Sequence, residues 1–225
     1  VAASLFTVYF GFIQVRGIRH SIQLVKGDYS DPNDAGEVSH FQALTTALSG
    51  TVGLGNIAGV AVAVSIGGPG ATFWMILAGL LGMASKFTEC TLGVKYRNEY
   101  ADGTVSGGPM YYMSKGFAER GVPGGKILAV VFAIFCILGA LGGGNMFQAN
   151  QAHVQLAGIF GDFPGGITGI VFALVVYAVI VGGIKSIANV TEKVVPFMGL
   201  LYVGTALIIL LINFDKIGWA FGQIF

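Results

Sequence analysis

Charge is what this sequence has least of. Only 10% of its 225 residues are charged, 54% are hydrophobic and the mean hydropathy is +0.76. A soluble domain carries about a quarter of its residues as Asp, Glu, Lys and Arg, so an ordinary water-soluble globule is excluded and a polytopic membrane protein is indicated. Lys and Arg number 12 against 11 Asp and Glu, and no basic patch stands out, so nucleic acid is not expected as a partner. Cysteine is scarce too. Cys90 and Cys136 both fall in apolar stretches, which gives neither a disulfide framework nor thiolate metal spacing. No signal-peptide n-region, no H-E-x-x-H, no nucleophile–base arrangement and no paired carboxylate at membrane depth are present, so no enzyme is expected and no covalent cofactor.

What is there in abundance is glycine, 36 residues of it, and its placement is informative. Between Val38 and Ser85 no Asp, Glu, Lys or Arg occurs, a 48-residue run long enough for two membrane-spanning helices. In the first of these, Ser49–Gly59 (SGTVGLGNIAG) gathers Gly50, Gly53, Gly55 and Gly59 with Thr51 and Asn56 at mid-depth. Each glycine costs a helix roughly 1 kcal/mol against alanine, so the cluster predicts an interrupted helix. Irregular backbone at that depth is tolerated where it is buried in protein or lines a cavity. Broken helices of this kind form substrate and ion sites in secondary transporters, with amide N–H groups facing an anion and unwound carbonyls facing a cation. An amide buried without a partner costs several kcal/mol, so Asn56 needs one there.

Along the chain, residues 1–15 read as a truncated span and 16–40 as a cytoplasmic linker. That linker holds a turn at Asp31-Pro32-Asn33, and Ser39 is a candidate cap for the next helix. Spans are expected at about 41–64, 71–93, 127–157, 167–184 and 194–213, with 214–225 an outer loop or the start of a further segment. Between the second and third lies a polar segment whose amphipathic stretch, GPMYYMSKGFAER, suits a short helix on the membrane surface. Placing the loop after the first span in the cytoplasm gathers all but Lys216 and the intraspan Lys86 of the 12 basic residues on that side. This orients the cut N-terminus outward. The chain opens at Val1 inside an apolar stretch and stops at Phe225 just after a span. A fragment cut at both ends is therefore expected, and no internal symmetry is visible within it.

Other candidates are weighed against plainer readings. Gly53-Leu54-Gly55-Asn56-Ile57-Ala58 matches the dinucleotide fingerprint G-x-G-x-x-A literally, but no strand precedes it and no carboxylate occurs between Glu37 and Glu89. Nucleotide binding is excluded on that ground. Gly55 and Gly59 form a GxxxG pair suited to helix packing, which can coexist with a site. Gly144, Gln148, Gln151 and Gln155 share one helical face, with Gln148 beside the Gly142–Gly144 gap as a cavity residue and Gln151, His153 and Gln155 facing solvent. Lys86 and Glu89, one turn apart, read as a mutually neutralising structural or gating pair. His20 and His40 are isolated and read as structural, while Trp74, Trp219, Tyr111 and Tyr112 fit interface anchoring.

Several stretches resemble the sodium:alanine (alanine/glycine:cation) symporter family: GFIQVRGIRHSIQL (11–24), SHFQALTTALSGTVGLGNIAGVAVAV (39–64), GGPGATFWMILAGLLGMASKFTEC (67–90), GGPMYYM (107–113) and GGGNMFQANQ (142–151). The likeness continues more loosely through GGIKSIANVTEKVVP (182–196). One departure is Ile76, where the family usually has a second Trp. The resemblance implies an all-α, leucine-transporter-like fold in which residues 41–213 form the first of two inverted five-helix repeats, its first helix discontinuous. The second repeat, carrying the other half of the site, would be missing.

Carried over residue by residue, the resemblance implies that the N–H groups of Leu54 and Gly55, in the Gly53–Asn56 interruption, hold the substrate carboxylate. The Thr51 carbonyl faces its ammonium group. Asn56 gives a side-chain oxygen to the cation or binds substrate directly, and the Ser49 and Val52 carbonyls face a second cation position. Gln148 matches the family's polar substrate contact. The expectation is Na⁺-coupled symport of alanine or glycine by alternating access, in the plasma (inner) membrane of a prokaryote, with Na⁺, substrate, bilayer and the C-terminal repeat as partners. The rival is a channel or a non-transporting scaffold whose glycines serve packing.

Overall fold

The computed structural model describes residues 1–30, 36–161 and 164–225. The turn expected at Asp31-Pro32-Asn33 lies outside the described residues. Among the described residues the architecture is all-α apart from one two-residue-stranded hairpin, β1 (Asn98–Glu99) antiparallel to β2 (Val105–Ser106). Among them, three helices are long and apolar enough to cross a membrane: α6 (Ala71–Lys95), the run Gly125–Phe160 and α11 (Gly183–Ile212). A fourth span is formed if α4 (His40–Thr51) and α5 (Leu54–Gly67), bent by 41° at their junction, are counted as one. The chain is thus a multi-pass membrane protein. Helix α10 (Gly165–Ile180) is apolar but has 16 residues; at 1.5 Å each that is about 24 Å, short of the roughly 30 Å hydrocarbon core.

Two compact units divide the chain, and each is described by itself. The first comprises Val1–Ser30, Ser39–Thr88 and Ala188–Phe225. It opens with α1 (Ala2–Tyr9), which stops where Gly11 and Phe12 both take positive φ, followed by α2 (Ile13–Arg16) and α3 (Ile18–Lys26). Its buried residues are small: Thr7, Thr45, Ala84, Ala188, Thr191 and Val195. Such residues let helix backbones approach closely, the usual packing device where lipid supplies no hydrophobic drive. Aromatic edges add to it: Phe10 meets Phe87 at 5.3 Å and Phe73 meets Phe225 at 5.6 Å between ring centroids. The unit closes with α12 (Ile217–Ile224) in the segment expected as an outer loop or new element.

The second unit is built on Glu89–Ile187. The amphipathic stretch forms α7 (Pro109–Glu119), begun by Pro109 at its first position, where a missing N–H costs nothing. Helix α8 (Gly125–Gly139) packs its N-terminus on α7 so tightly that a Cβ on Gly125 would lie 2.6 Å from the Met113 carbonyl oxygen. Lys115 reaches the end of α6, donating from Nζ to the carbonyls of Tyr96 at 3.0 Å and Arg97 at 3.5 Å. These are orphan acceptors at a helix C-terminus, where a cation is also favoured by the dipole. Between α8 and α9 (Phe147–Phe160) the helix widens into a π-helical segment, Ala140–Met146, without breaking.

One boundary differs markedly from the sequence expectation. The polar stretch 185–193 belongs to α11, which begins at Gly183 and runs through Pro196 to Ile212. It can be helical because its polar side chains find partners on α4, described next.

Candidate functional site

Helix α4 begins with a reciprocal cap. The Gln42 N–H donates to Ser39 Oγ at 3.2 Å, and the Ser39 N–H donates to Gln42 Oε1 at 3.1 Å. The same glutamine turns its Nε2 to Asn189 Oδ1 at 3.1 Å and Glu192 Oε2 at 2.9 Å, both on α11. One turn further on, Thr46 Oγ1 meets Thr191 Oγ1 at 3.1 Å. Thr45 beside it is only 2% exposed. The first two turns of the broken span are therefore tied to α11 by polar contacts at Gln42 and Thr46.

The ladder then fails over two residues. Val52 still donates to the Leu48 carbonyl at 2.7 Å, but Val52 and Gly53 are both extended. In a continuous helix the Gly53 N–H would serve the Ser49 carbonyl, and the Asn56 N–H would serve the Val52 carbonyl. Both donors are diverted: Gly53 N–H goes to Asn56 Oδ1 at 3.2 Å, and Asn56 N–H goes to the Gly53 carbonyl at 3.1 Å. The partner that Asn56 requires is thus supplied by its own helix start. Thr51 spends its hydroxyl proton on the Ala47 carbonyl at 2.7 Å, so its oxygen remains an acceptor.

Within two residues, then, the carbonyl end of α4 meets the amide end of α5. Half-helix dipoles make the first a place for a cation and the second a place for an anion. Thr51, Gly55 and Asn56 are exposed, while Val52, Gly53 and Leu54 are half-buried. A Cβ placed on Gly50 or Gly55 would meet no heavy atom within 4 Å, so neither glycine serves close packing among the described residues. Gly53 has φ −153°, extended backbone open to any residue, so its conformation does not explain glycine there. No charged side chain lies in this span, and no cluster of three or more His, Cys, Asp or Glu side chains exists among the described residues.

Gln148 belongs to the second unit. It is half-buried, the second residue of α9, directly after the π-helical segment that holds Gly142–Gly144. A Cβ on Gly142 or Gly143 would likewise meet open space. A π-segment widens the helix locally and is found mostly at functional positions; the run of three glycines was its visible signal. His153, expected to face solvent, instead is half-buried, with Nδ1 3.1 Å from Thr168 Oγ1, tying α9 to α10. Gln151 is half-buried as well, and Gln155 is exposed. Lys86 and Glu89 sit one turn apart on α6. His40 pairs with Ser30 Oγ at 3.0 Å and His20 stacks edge-on against Tyr29, both structural contacts. Gln42 and Glu192 were missed by sequence reasoning: they are 150 positions apart, and only the S-x-x-Q cap pointed to one of them.

Comparison with known proteins now adds a family. The model of the sodium:alanine symporter family matches residues 1–225. A sodium/alanine symporter, AgcS, of Methanococcus maripaludis is 46% identical over 97% of this chain and 48% of its own length. A putative sodium/proton-dependent alanine carrier protein, YrbD, of Bacillus subtilis is 40% identical over 98% of this chain and 43% of its own. A probable sodium/glutamine symporter, GlnT, of the same bacterium is 32% identical over 94% and 42%. The chain spans less than half the length of each of these relatives.

Proposed function

This chain belongs to the sodium:alanine symporter family, a family of transporters and not of enzymes, and from that membership we propose that it forms about half of a Na⁺-coupled symporter for a small neutral amino acid. Alanine or glycine is the substrate, moved by alternating access in a prokaryotic plasma membrane. The rest of the site would come from a second, inverted repeat, and the first residues of this chain would face outward. The observation that carries the reading is the two-residue interruption with its diverted donors.

The residue roles carry over from the family resemblance, and the interruption supports those assigned to it. The Ser49 and Val52 carbonyls, whose ladder donors are turned elsewhere, face the cation, with oxygen the ligand a hard cation prefers. The first amides of α5, at Leu54 and Gly55, receive the substrate carboxylate with the help of the helix dipole. Thr51 and Gly53 shape the turn, the Thr51 carbonyl meeting the substrate ammonium. Asn56 holds the turn by its cap and offers the second lone pair of Oδ1 to cation or substrate. Gln148, on α9 of the second unit, is a polar substrate contact only by the family resemblance. Coupling arises because either ligand orders the same unwound backbone and so lowers the ordering cost for the other; the two affinities are then reciprocal.

The test is uptake of radiolabelled alanine by the full-length protein in proteoliposomes. A saturable signal that needs an inward Na⁺ gradient is expected. Uptake at full rate without Na⁺ would sink the coupling, and flux that never saturates would favour a pore.

A further inference from the structure

We propose that the cleft on α2 and α3 binds the phosphate headgroup of an anionic glycerophospholipid of the surrounding bilayer. This rests on the chain being a membrane protein and is independent of what it transports. The cleft has a volume of about 540 Å³, and Arg16, Arg19 and Lys26 line it with Asp28 as the one carboxylate among the described residues. None of these three cations forms a salt bridge with a described residue.

Local geometry gathers the cations. Arg19, Gln23 and Lys26 recur at helical spacing along one face of α3. Gly11, at φ +57°, leaves room for the Arg16 guanidinium, whose Nη1 lies 3.0 Å from where a Cβ would stand. Gly27, at φ +91°, ends α3, and the Asp28 N–H returns to the Gln23 carbonyl at 3.1 Å, which sets Asp28 at the rim. The remaining wall is apolar: Val15, Ile18 and Ile22 line the same cleft yet are 65%, 55% and 51% exposed.

A soluble anion needs no such wall. A phospholipid uses both halves, its phosphate among the guanidinium and ammonium groups and its glycerol and first methylenes along Val15, Ile18 and Ile22. The segment directly follows the apolar stretch 1–15, and basic residues on a helix next to such a stretch are attracted to anionic lipid.

The measurement is lipid retention by the full-length protein through gel filtration in detergent containing equal palmitoyl-oleoyl-phosphatidylglycerol and palmitoyl-oleoyl-phosphatidylcholine, quantified by mass spectrometry. Preference for phosphatidylglycerol is expected, falling roughly tenfold or more in the Arg16→Gln/Arg19→Gln/Lys26→Gln variant. Asp28→Asn, which leaves every cation in place, should raise it. Undiminished preference in the triple variant overturns the proposal. Should that variant not fold, the wild-type protein decides: preference must weaken between about 0.1 and 1 M NaCl, as screening shortens from about 10 to 3 Å, and salt-independent preference overturns it. Inorganic phosphate at about 10 mM should leave the lipid bound, the anionic headgroup being held with its apolar attachment; displacement would reassign the cleft to free phosphate.

Discussion

Helix α4 enters its span capped by Ser39 and Gln42 and bonded to α11 at Asn189, Glu192 and Thr191, whereas α5 leaves the interruption with no buried residue at all. Both halves lie in one unit and both are apolar, so the contrast is one of partners. The first half has them within this chain. The second is hydrophobic around its circumference, which in a membrane protein means it is covered by lipid or by further protein. The Val52–Gly53 joint therefore separates a segment bonded to α11 from one that holds no buried residue. A joint of that kind is where unwound backbone can change its bonding without disturbing the anchored side.

The largest effect is expected at the unanchored side. Gly55→Leu places four carbons at the proposed carboxylate position, and on that proposal alanine affinity should fall on the order of a hundredfold, about 3 kcal/mol. Thermal stability should hold or rise slightly, since leucine is the better helix residue and the space beside Gly55 is open among the described residues. Calorimetry on the full-length protein reads the first and a melting curve the second. Unchanged affinity with a large loss of stability would break the comparison, turning Gly55 into a packing residue of the rival scaffold reading.

At the anchored side the expected loss is in stability. Gln42→Ala removes half of the cap and strips the half-buried Glu192 of its donor; a cap is worth about 1 kcal/mol and the lost hydrogen bond about 1 kcal/mol more. The melting temperature should fall clearly. Gln42→Glu keeps the cap's acceptor but sets a second carboxylate against Glu192, so it should be no better than alanine. If Gln42→Ala melts like wild type, α4 is not anchored and the two halves are alike.

Asn56 sits between the extremes, and two substitutions separate its roles. Asn56→Asp keeps the oxygen that accepts from Gly53 N–H and adds a negative charge at a helix N-terminus, favourable by about 0.3–1 kcal/mol. Asn56→Ala loses the cap at a cost of about 1 kcal/mol. A residue that only caps would leave alanine binding intact in the aspartate variant. If Asn56 has the proposed cation role, the expected result is a normal melting curve with altered Na⁺ dependence, because the proposed ligand oxygen now carries charge.

How much of this was legible beforehand depends on the range of the interaction. The break near Gly53, the Ser39 cap and the amphipathic α7 are local matters: poor helix formers in a cluster, Ser39 just ahead of an apolar run, and Tyr and Met beside Lys115. The Gln42–Glu192 contact joins residues 150 positions apart, so the stretch 185–193 fell between two expected spans although its Asn189, Thr191 and Glu192 bond to α4. The π-segment Ala140–Met146 had a signal in its glycines, but glycine-rich sequence equally suits a break or a packing face. The diverted N–H groups of Gly53 and Asn56 depend on one side chain turning back on its own helix, which spacing permits and does not require.

The smallest effect tests whether the anchoring is shared or concentrated. Thr46→Val keeps the shape of the side chain and deletes one hydroxyl from the 3.1 Å contact with Thr191. Thr191 is not stranded, because its Oγ1 still donates to the Ala188 carbonyl at 3.2 Å. Hydrogen bonds between membrane helices average about 0.6 kcal/mol, so the loss should be at or below that, visible as a shift of a degree or two in the melting curve. Combined with Gln42→Ala, it should add simply if the two contacts act separately, and more than simply if α4 leaves α11 as one piece once either is gone. The second outcome would make the anchored half a single latch, with Glu192 and Thr191 as its keeper.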